Sequence, residues 1–275
     1  MGIRPVFIVV LSIGFAVGST CVAVLKMVDL NSYRIFISQK VTTSIGRSMI
    51  INGDLEMRLS RHPALVMHDV ALANAPWGSR PNMMTAKQFE VQIALFPLLT
   101  GRIKIRRLTF IEPDIIVEIT RDRINNWMFD TPTIQESVLS SHSPTTLPAL
   151  HVTAITVRQA RLVVLDNSAQ KQSVLHTLQL AHMDATTIGF DSNIILSFYG
   201  IIGIVPIRGQ GRVGAITDLL ANRPFTIDLA IAAADTTFAL TGVIAHPLNG
   251  ESLDLFIHAY DTNLATMHRI EHIIA

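Results

Sequence analysis

From Met49 onward, apolar and polar residues alternate with a period of two, and this pattern restricts the fold more than any other feature of the chain. The clearest run extends from Phe225 to Ile231, where Phe225, Ile227, Leu229 and Ile231 alternate with smaller or polar residues. Further runs occur at Phe238, Leu240, Gly242 and Ile244, at Leu253, Leu255 and Ile257, and at Leu178 and Leu180. Because successive side chains of a strand point to opposite faces, the pattern predicts half-buried antiparallel strands that share one apolar face.

Residues typical of turns separate these runs. They are Asn52-Gly53, Ala75-Pro76, Glu112-Pro113, Asp191-Ser192-Asn193 and Pro247-Leu248-Asn249-Gly250. Two later segments, Ile216–Asn222 and Asn263–Ile274, have a helical pattern, and Gln135–Pro148 is predicted to be a loop or a boundary. The chain after its N-terminal region is therefore predicted to be mainly β.

Two segments of the predicted sheet resemble each other weakly. Ile105–Phe110 followed by Pro113–Glu118 is similar in pattern to Ala154–Val157 followed by Arg161–Leu165. We interpret each as a strand, a short turn and a second strand. This repetition predicts a sheet that is extended by successive hairpins.

The N-terminal segment Pro5–Leu25 contains no charged residue and lies between Arg4 and Lys26. As a helix it would extend about 31 Å, which is enough for a hydrocarbon core of about 30 Å. Arg4 and the free amino group favour a cytoplasmic start, which sends the remaining chain outward. We predict a retained transmembrane anchor, with a signal peptide cleaved after Gly18 as the alternative.

Asp29–Ser48 is predicted to form a helix. Its apolar residues recur at spacings of three or four, at Leu30, Tyr33, Ile37, Val41 and Ile45. Asp29 or Ser32 can cap its start, and Gly46 can end it. The helix either lies on a membrane surface or covers the end of the sheet, and its sparsely charged polar face favours the second arrangement.

Composition limits the classes of function. Charged residues make up 16% of the chain and hydrophobic residues 49%, whereas an average soluble domain has about 25% charged residues. This excludes a disordered chain and favours a membrane-associated or unusually apolar protein. The net charge of +1 provides no field to attract nucleic acid. The single cysteine, Cys21, excludes a disulfide framework and a zinc knuckle.

The segment Gly209–Gly214 satisfies the dinucleotide fingerprint GxGxxG. That motif requires a buried parallel strand before it and a long helix after it. Here the flanking pattern is antiparallel, and Pro224 ends the only helical segment available. A glycine-rich strand end followed by a short helical turn is the better interpretation.

The C-terminal segment His268–His272 matches the metalloprotease pattern HxxEH. Two histidines four residues apart can share a zinc ion, but such a site needs a further ligand downstream. A solvated helix face is the better interpretation. With no GxSxG nucleophile motif in the sequence, we predict no catalytic residue, no metal site and no cofactor.

Several motifs between Gly46 and Trp127 resemble the AsmA family. The segment Val66–Trp77, VMHDVALANAPW, is its most specific part. Gly46-Arg47 with Ile51–Leu55, Phe96–Ile103, Pro113–Ile115 and Asn126-Trp127 follow in the order of the family. Looser similarity continues through Arg161–Asp166, Gly209–Leu220 and Leu253–Met267.

This resemblance implies a protein anchored in the inner membrane of a Gram-negative bacterium, with most of the chain in the periplasm. Residues 1–28 would form a cytoplasmic stub and the anchor, and residues 29–275 a periplasmic β domain that is incomplete at its C-terminal end. The family is involved in outer-membrane biogenesis and resembles bridge-like lipid-transfer proteins with a long β-groove. The implied partners are the inner membrane, phospholipid and other cell-envelope assembly proteins, and no nucleic acid.

The residues themselves leave two ways to cover the apolar faces of the strands. Two sheets can pack into a sandwich, or one elongated, twisted antiparallel sheet can curl into an apolar groove. Composition and the resemblance both favour the groove. Its candidate lipid-binding residues are Phe225, Ile227, Leu229, Ile231, Phe238, Leu240, Leu253 and Leu255.

Three hypotheses for the function follow. The first is a membrane-tethered β-groove that binds or conducts phospholipid. The second is a periplasmic scaffold or adaptor that binds outer-membrane proteins through exposed sheet edges. The third, a hydrolase or metalloenzyme, has the least support in the sequence.

Overall fold

A computed structural model describes residues 29–60, 62–94, 105–120, 122, 124–129, 152–166, 173–189, 191–248 and 251–260. Five features of the sequence analysis lie outside these residues: the anchor at Pro5–Leu25, the segment Phe96–Ile103, the loop Gln135–Pro148, the helix Asn263–Ile274 and the HxxEH segment within it. None of the helices in the described part is long and apolar enough to cross a membrane.

The described chain is mainly β, as predicted. A 3-10 turn, Leu30–Tyr33, leads into helix α1, Arg34–Ile45, and a second helix, α2, spans Ile216–Leu220. The strands are β1 (Met49–Ile51), β2 (Leu55–Arg58), β3 (Ala64–Ala73), β4 (Asn82–Ile93), β5 (Ile105–Ile119), β6 (Ala154–Asp166), β7 (Ser173–Thr186), β8 (Ile194–Ile202), β9 (Val205–Val213), β10 (Phe225–Ala233), β11 (Thr236–His246) and β12 (Glu251–Tyr260).

All twelve strands belong to one sheet, in the order β1-β3-β4-β5-β6-β7-β8-β9-β10-β11-β12, with β2 also paired to β3. The prediction of a purely antiparallel sheet is wrong, because β5 and β6 are parallel. A parallel pair needs a long crossover connection, and the segment between Ile119 and Ala154 provides one. The other neighbouring strands pair antiparallel, so the sheet is mixed.

The predicted repeat of two hairpins is also wrong. Glu112-Pro113 lies inside β5, which is one continuous strand, and the segment Ala154–Asp166 is likewise one strand, β6. The two similar segments lie side by side as the parallel pair, with Phe110 opposite Val157 and Ile115 opposite Leu162. Their resemblance therefore reflects equivalent positions in neighbouring strands.

A line of backbone irregularities explains why β5 was mistaken for two strands. Asp69 in β3, Glu112 in β5 and Gln159 in β6 have φ values of 50°, 50° and 53°, and the pairing omits each of them. At each of them the alternation of faces shifts by one position, while the register is the same on both sides because the pairing omits equal numbers of residues from both strands. Pro113, which has no N–H to donate, directly follows this irregularity and is omitted from the pairing with β6.

Helix α1 and its preceding turn cover the end of the sheet. The side chain of Asp29 accepts a hydrogen bond from the N–H of Asn31, and Gly46 ends α1 with a φ of 71°, as the capping residues predicted. Leu30, Ile37, Val41 and Ile45 pack against a buried cluster of strand residues. This cluster consists of Met49, Ile51, Leu55, Met67, Val70 and Leu72.

One residue of the predicted helical stripe points outward. Tyr33 is 51% exposed, although it was assigned to the buried face with Ile37. It belongs to the 3-10 turn Leu30–Tyr33, which has three residues per turn and so places side chains differently from an α-helix.

A long-range contact shows how the sheet turns back on itself. The indole N–H of Trp127 donates to the carbonyl oxygen of Leu248 at 3.1 Å, across 121 residues of sequence. The N–H of Leu248 in turn donates to Oδ1 of Asn222 at 3.1 Å. Neighbouring strands rotate by roughly 20–25° relative to each other. Because this twist accumulates from β5 to β11, the residues that follow β5 come close to the residues that follow β11.

Candidate functional site

Directly paired residues in adjacent strands lie on the same face of a sheet, so the register defines rows of side chains that cross it. One such row runs through eleven strands without a charged residue. It consists of Leu55, Met67, Phe89, Phe110, Val157, Met183, Phe198, Gly209, Ile231, Phe238 and Ala259. We call the face that carries this row the apolar face.

Two further rows on the apolar face are similarly uninterrupted. The first consists of Met57, Leu65, Val91, Leu108, Ile155, Ala185, Leu196, Gly211, Leu229, Leu240 and Ile257. The second consists of Met49, Leu72, Met84, Ile115, Leu162, Leu178, Ile202 and Val205. At about 4.8 Å between strands, a row of eleven strands extends about 48 Å.

The opposite face, which we call the polar face, has a different composition. The row that lies between the two longest apolar rows consists of Glu56, Val66, Glu90, Thr109, Thr156, Asp184, Ser197, Gln210, Ala230, Ala239 and His258. Most of these side chains are charged, hydroxylated or small. The sheet therefore separates one continuous apolar surface from a face of mostly polar or small side chains, among which Val66, Glu90, Thr109 and Thr156 are buried.

Part of the apolar face encloses a cavity of about 300 Å³. Its lining residues come from β7 to β12 and are Leu178, Phe198, Ile202, Val205, Ile207, Ile231, Ala233, Phe238, Leu240 and Ile257. An apolar cavity of about 150 Å³ can bind benzene. The cavity on the apolar face has twice that volume, and every side chain that lines it is apolar.

The eight candidate lipid-binding residues all lie on the apolar face. Phe225, Ile227, Leu229 and Ile231 pair with Ile244, Gly242, Leu240 and Phe238 of β11, and Leu253 and Leu255 of β12 pair with Ile244 and Gly242. Three of the eight, Ile231, Phe238 and Leu240, line the cavity. Leu229 is buried, whereas Leu253, in the edge strand, is 58% exposed.

Sequence reasoning missed seven of the ten cavity residues. Leu178 and Ile257 were assigned to half-buried strands but not to the site, and Ala233 and the cavity residues of β8 and β9 were not singled out. In β8 the face alternation is weakened because Ile195, Tyr199 and Ile201 are apolar or aromatic yet exposed on the other face. The placement of Phe198 and Ile202 in the cavity depends on their pairing with β7 and β9.

The glycine fingerprint belongs to this apolar surface. Gly209 and Gly211 lie in β9, which is antiparallel to both of its neighbours, and α2 contains five residues. A Cβ atom at Gly209 would collide with the ring of Phe198. The absence of a side chain at Gly209 thus allows the ring of Phe198 to lie across β9 beside the cavity. This packing role explains the glycine without a bound nucleotide.

One group on the polar face brings together a threonine, an aspartate and a histidine, which are residue types that also occur in catalytic sites. The hydroxyl of Thr156 donates to Oδ1 of Asp184 at 2.7 Å, and Nε2 of His182 lies 2.6 Å from Oδ2 of the same carboxylate. Partial burial would raise the pKa of Asp184, but these hydrogen bonds and the charges of His182 and Arg107 lower it below its usual value. Thr156 contacts the carboxylate and not the imidazole, so this geometry differs from an activated nucleophile. Among the described residues no cluster of three or more His, Cys, Asp or Glu could hold a metal ion.

The conspicuous sequence motifs meet in a buried hydrogen-bond network at the end of β5. Glu118 is completely buried. Its carboxylate accepts hydrogen bonds from Nδ2 of Asn74 at 2.9 Å and from the backbone N–H and hydroxyl of Ser79, each at 2.9 Å. Asn126 accepts from the N–H of Glu118 at 2.9 Å and donates to Oδ1 of Asn74 at 3.0 Å. The Asn74–Trp77 and Asn126-Trp127 motifs are therefore joined by a structural network.

Comparison with known proteins agrees with the resemblance inferred from these motifs. The AsmA family model matches residues 6–195. The chain is also similar to the AsmA family protein YhjG of Escherichia coli (strain K12), with 20% identity over 272 aligned residues. The alignment covers 90% of this chain and 39% of YhjG, so the chain spans about two fifths of the length of that curated relative.

Proposed function

The chain belongs to the AsmA family, and from this premise we propose that it binds or conducts phospholipid acyl chains along a hydrophobic groove formed by the apolar face. It is anchored in the inner membrane by Pro5–Leu25, with the sheet in the periplasm, and acts in outer-membrane biogenesis. Its role is to hold lipid, without catalysis and without a cofactor.

The three uninterrupted apolar rows support this function most directly. A soluble sheet normally covers such a face with a second layer, but within the described residues the side chains from outside the sheet that pack on its buried cluster come from α1, its preceding turn and Phe129. One leaflet of a bilayer has a hydrocarbon thickness of about 15 Å, half of the 30 Å core. A surface of about 48 Å is long enough for more than one acyl chain in succession.

The cavity between β7 and β12 gives this proposal a specific position. Acyl chains match its wholly apolar lining, and each buried methylene group contributes about 0.8 kcal/mol. A charged headgroup would lose its hydration there without a partner. The lipid therefore lies with its acyl chain in the groove and its headgroup in water.

Photocrosslinking at Phe238 tests this arrangement. A benzophenone side chain at Phe238, which lines the cavity, is expected to form lipid adducts in cells, identifiable by mass spectrometry. The matched control is Thr237, the adjacent exposed residue on the polar face. Equal labelling at both positions, or no lipid in the protein purified in mild detergent, would contradict the proposal.

Alkaline extraction tests the anchor separately. If Pro5–Leu25 remains in the mature protein, the chain is expected to stay in the membrane pellet after carbonate treatment, because an apolar helix is not released when surface charges are neutralised. Edman sequencing or mass spectrometry of the N-terminus provides the control. Release of a soluble form beginning at Ser19 would show that the segment is a cleaved signal peptide.

One observation favours a second candidate function, a periplasmic scaffold or adaptor. Within the described part of the chain, β12 forms an edge of the sheet, and Leu253, Phe256, Ile257 and Tyr260 are each 58–59% exposed. Exposed edge strands can accept an additional strand from a partner. In that case Phe256→Lys would abolish association with envelope proteins and leave lipid adducts at Phe238 unchanged.

A further inference from the structure

The start of the first helix carries exposed apolar side chains opposite its buried face. Ile37 and Val41 pack on the strands, while Tyr33, Ile35 and Phe36 are 51%, 69% and 65% exposed. Single exposed apolar residues are common on soluble proteins. Three within four consecutive positions, on a helical segment whose other side packs on the strands, form a patch that needs a separate explanation.

We propose that Tyr33, Ile35 and Phe36 form an interfacial patch that inserts into the surface of the bilayer in which Pro5–Leu25 is anchored. This inference rests on the membrane anchor of the proposed function and adds a second, peripheral contact with the same membrane. Its partner is a lipid surface, and its role is to fix the orientation of the sheet.

Chain length places the patch within reach of that surface. Three residues separate Leu25, the last residue of the uncharged run, from Asp29, which caps the helical segment. The four Cα-to-Cα steps from Leu25 to Asp29 span at most about 14 Å, so the first helical turn starts close to the membrane. Tyr33 and Phe36 are aromatic, and amphipathic aromatic residues such as tyrosine are enriched at the interface between lipid and water.

The composition of α1 agrees with a lipid surface. The helix contains no acidic residue, and although Arg34 binds backbone carbonyls of the sheet, the exposed Lys40 can approach anionic headgroups. Exposed residues farther along, Gln39 and Thr43, are polar. The apolar exposed residues are thus confined to the end of α1 that follows the uncharged run.

The patch is rigidly connected to the sheet. Nη1 of Arg34 donates to the carbonyl oxygen of Gly53 at 2.9 Å and to that of Asn52 at 3.4 Å. The N–H of Leu55 donates to Oδ1 of Asn31 at 2.9 Å, and the N–H of Met49 donates to Oγ1 of Thr42 at 3.0 Å. When the patch inserts, the membrane therefore lies next to one end of the apolar face, the end that α1 covers.

Site-directed spin labelling of the full chain tests the patch. Nitroxide labels at Phe36→Cys or Thr43→Cys, each in a Cys21→Ser background, are compared in vesicles of phosphatidylethanolamine and phosphatidylglycerol. Both positions are exposed and lie on the same helix. The ratio of collisions with oxygen to collisions with a water-soluble nickel complex is expected to be several-fold higher at position 36 than at position 43, because oxygen partitions into lipid.

Carbonate extraction of the same vesicles distinguishes a failure of the proposed patch from a failure of the proposed anchor. A carbonate-resistant chain whose label at position 36 is as accessible to nickel as the label at position 43 overturns the patch and leaves the anchor intact. Release of the chain by carbonate overturns the anchor, and the patch with it. A chain that resists carbonate and shields position 36 alone supports both.

Discussion

Leu240→Asp is expected to weaken acyl-chain binding by about a hundredfold while the sheet remains folded. Leu240 lines the apolar cavity opposite Leu229. An unpaired carboxylate there costs a few kcal/mol when lipid displaces water from it, and about 1.4 kcal/mol corresponds to a tenfold change in affinity. Without lipid the carboxylate can remain hydrated, so circular dichroism should show an intact β-sheet and mass spectrometry should show little bound lipid.

Ala239→Asp is the matched control for this experiment. Ala239 precedes Leu240 in β11 and lies on the polar face, opposite Ala230 and His258. The same charge at this position can stay in water, so lipid content is expected to equal that of the parent protein. Unfolding of Leu240→Asp alone, together with a parent protein that contains no lipid, would show that the cavity is a dry structural core.

Glu118→Ala is expected to lower the free energy of unfolding by about 3 kcal/mol, measured by chemical denaturation of the detergent-solubilised chain. The carboxylate of Glu118 accepts hydrogen bonds from Asn74 and from the backbone and side chain of Ser79. Each buried donor left without an acceptor costs about 1–3 kcal/mol. The loss of these hydrogen bonds should also weaken the attachment of the turn between β3 and β4 to the end of β5.

Glu56→Ala serves as the control for Glu118, because Glu56 is an exposed glutamate on β2. Substitutions at such surface positions usually change stability by no more than about 0.5 kcal/mol. A similar small change for Glu118→Ala would mean that water replaces the carboxylate in the network. The bound-lipid measurement is expected to be unaffected at either position, since neither residue lies on the apolar face.

The family motifs illustrate how sequence and structure contribute differently. Asn74 and Asn126 were noticed because they occur in segments that resemble the AsmA family, but the sequence did not indicate what they do. Glu118 was not singled out, since an acidic residue in an apolar strand has no local pattern that predicts complete burial. Its environment forms only when the turn after β3 and the segment after β5 meet around it.

The features that the sequence determined are those set within a single element. Alternation from Phe225 to Ile231 assigns those side chains to one face, because the geometry of a strand has a period of two. Asp29 and Gly46 mark the ends of the first helical segment, because capping depends on local backbone groups. The same local reasoning failed at Glu112, where the alternation in β5 shifts by one position without ending the strand.

The tertiary structure alone decided how the strands combine. The parallel pairing of β5 with β6, the alignment of apolar rows across eleven strands and the cavity between β7 and β12 all depend on register between segments distant in sequence. A local pattern fixes which face a residue occupies but not which residue lies opposite it. That choice is made by the burial and hydrogen bonding of the whole sheet, because slipping any strand by one residue would move its apolar side chains to the polar face.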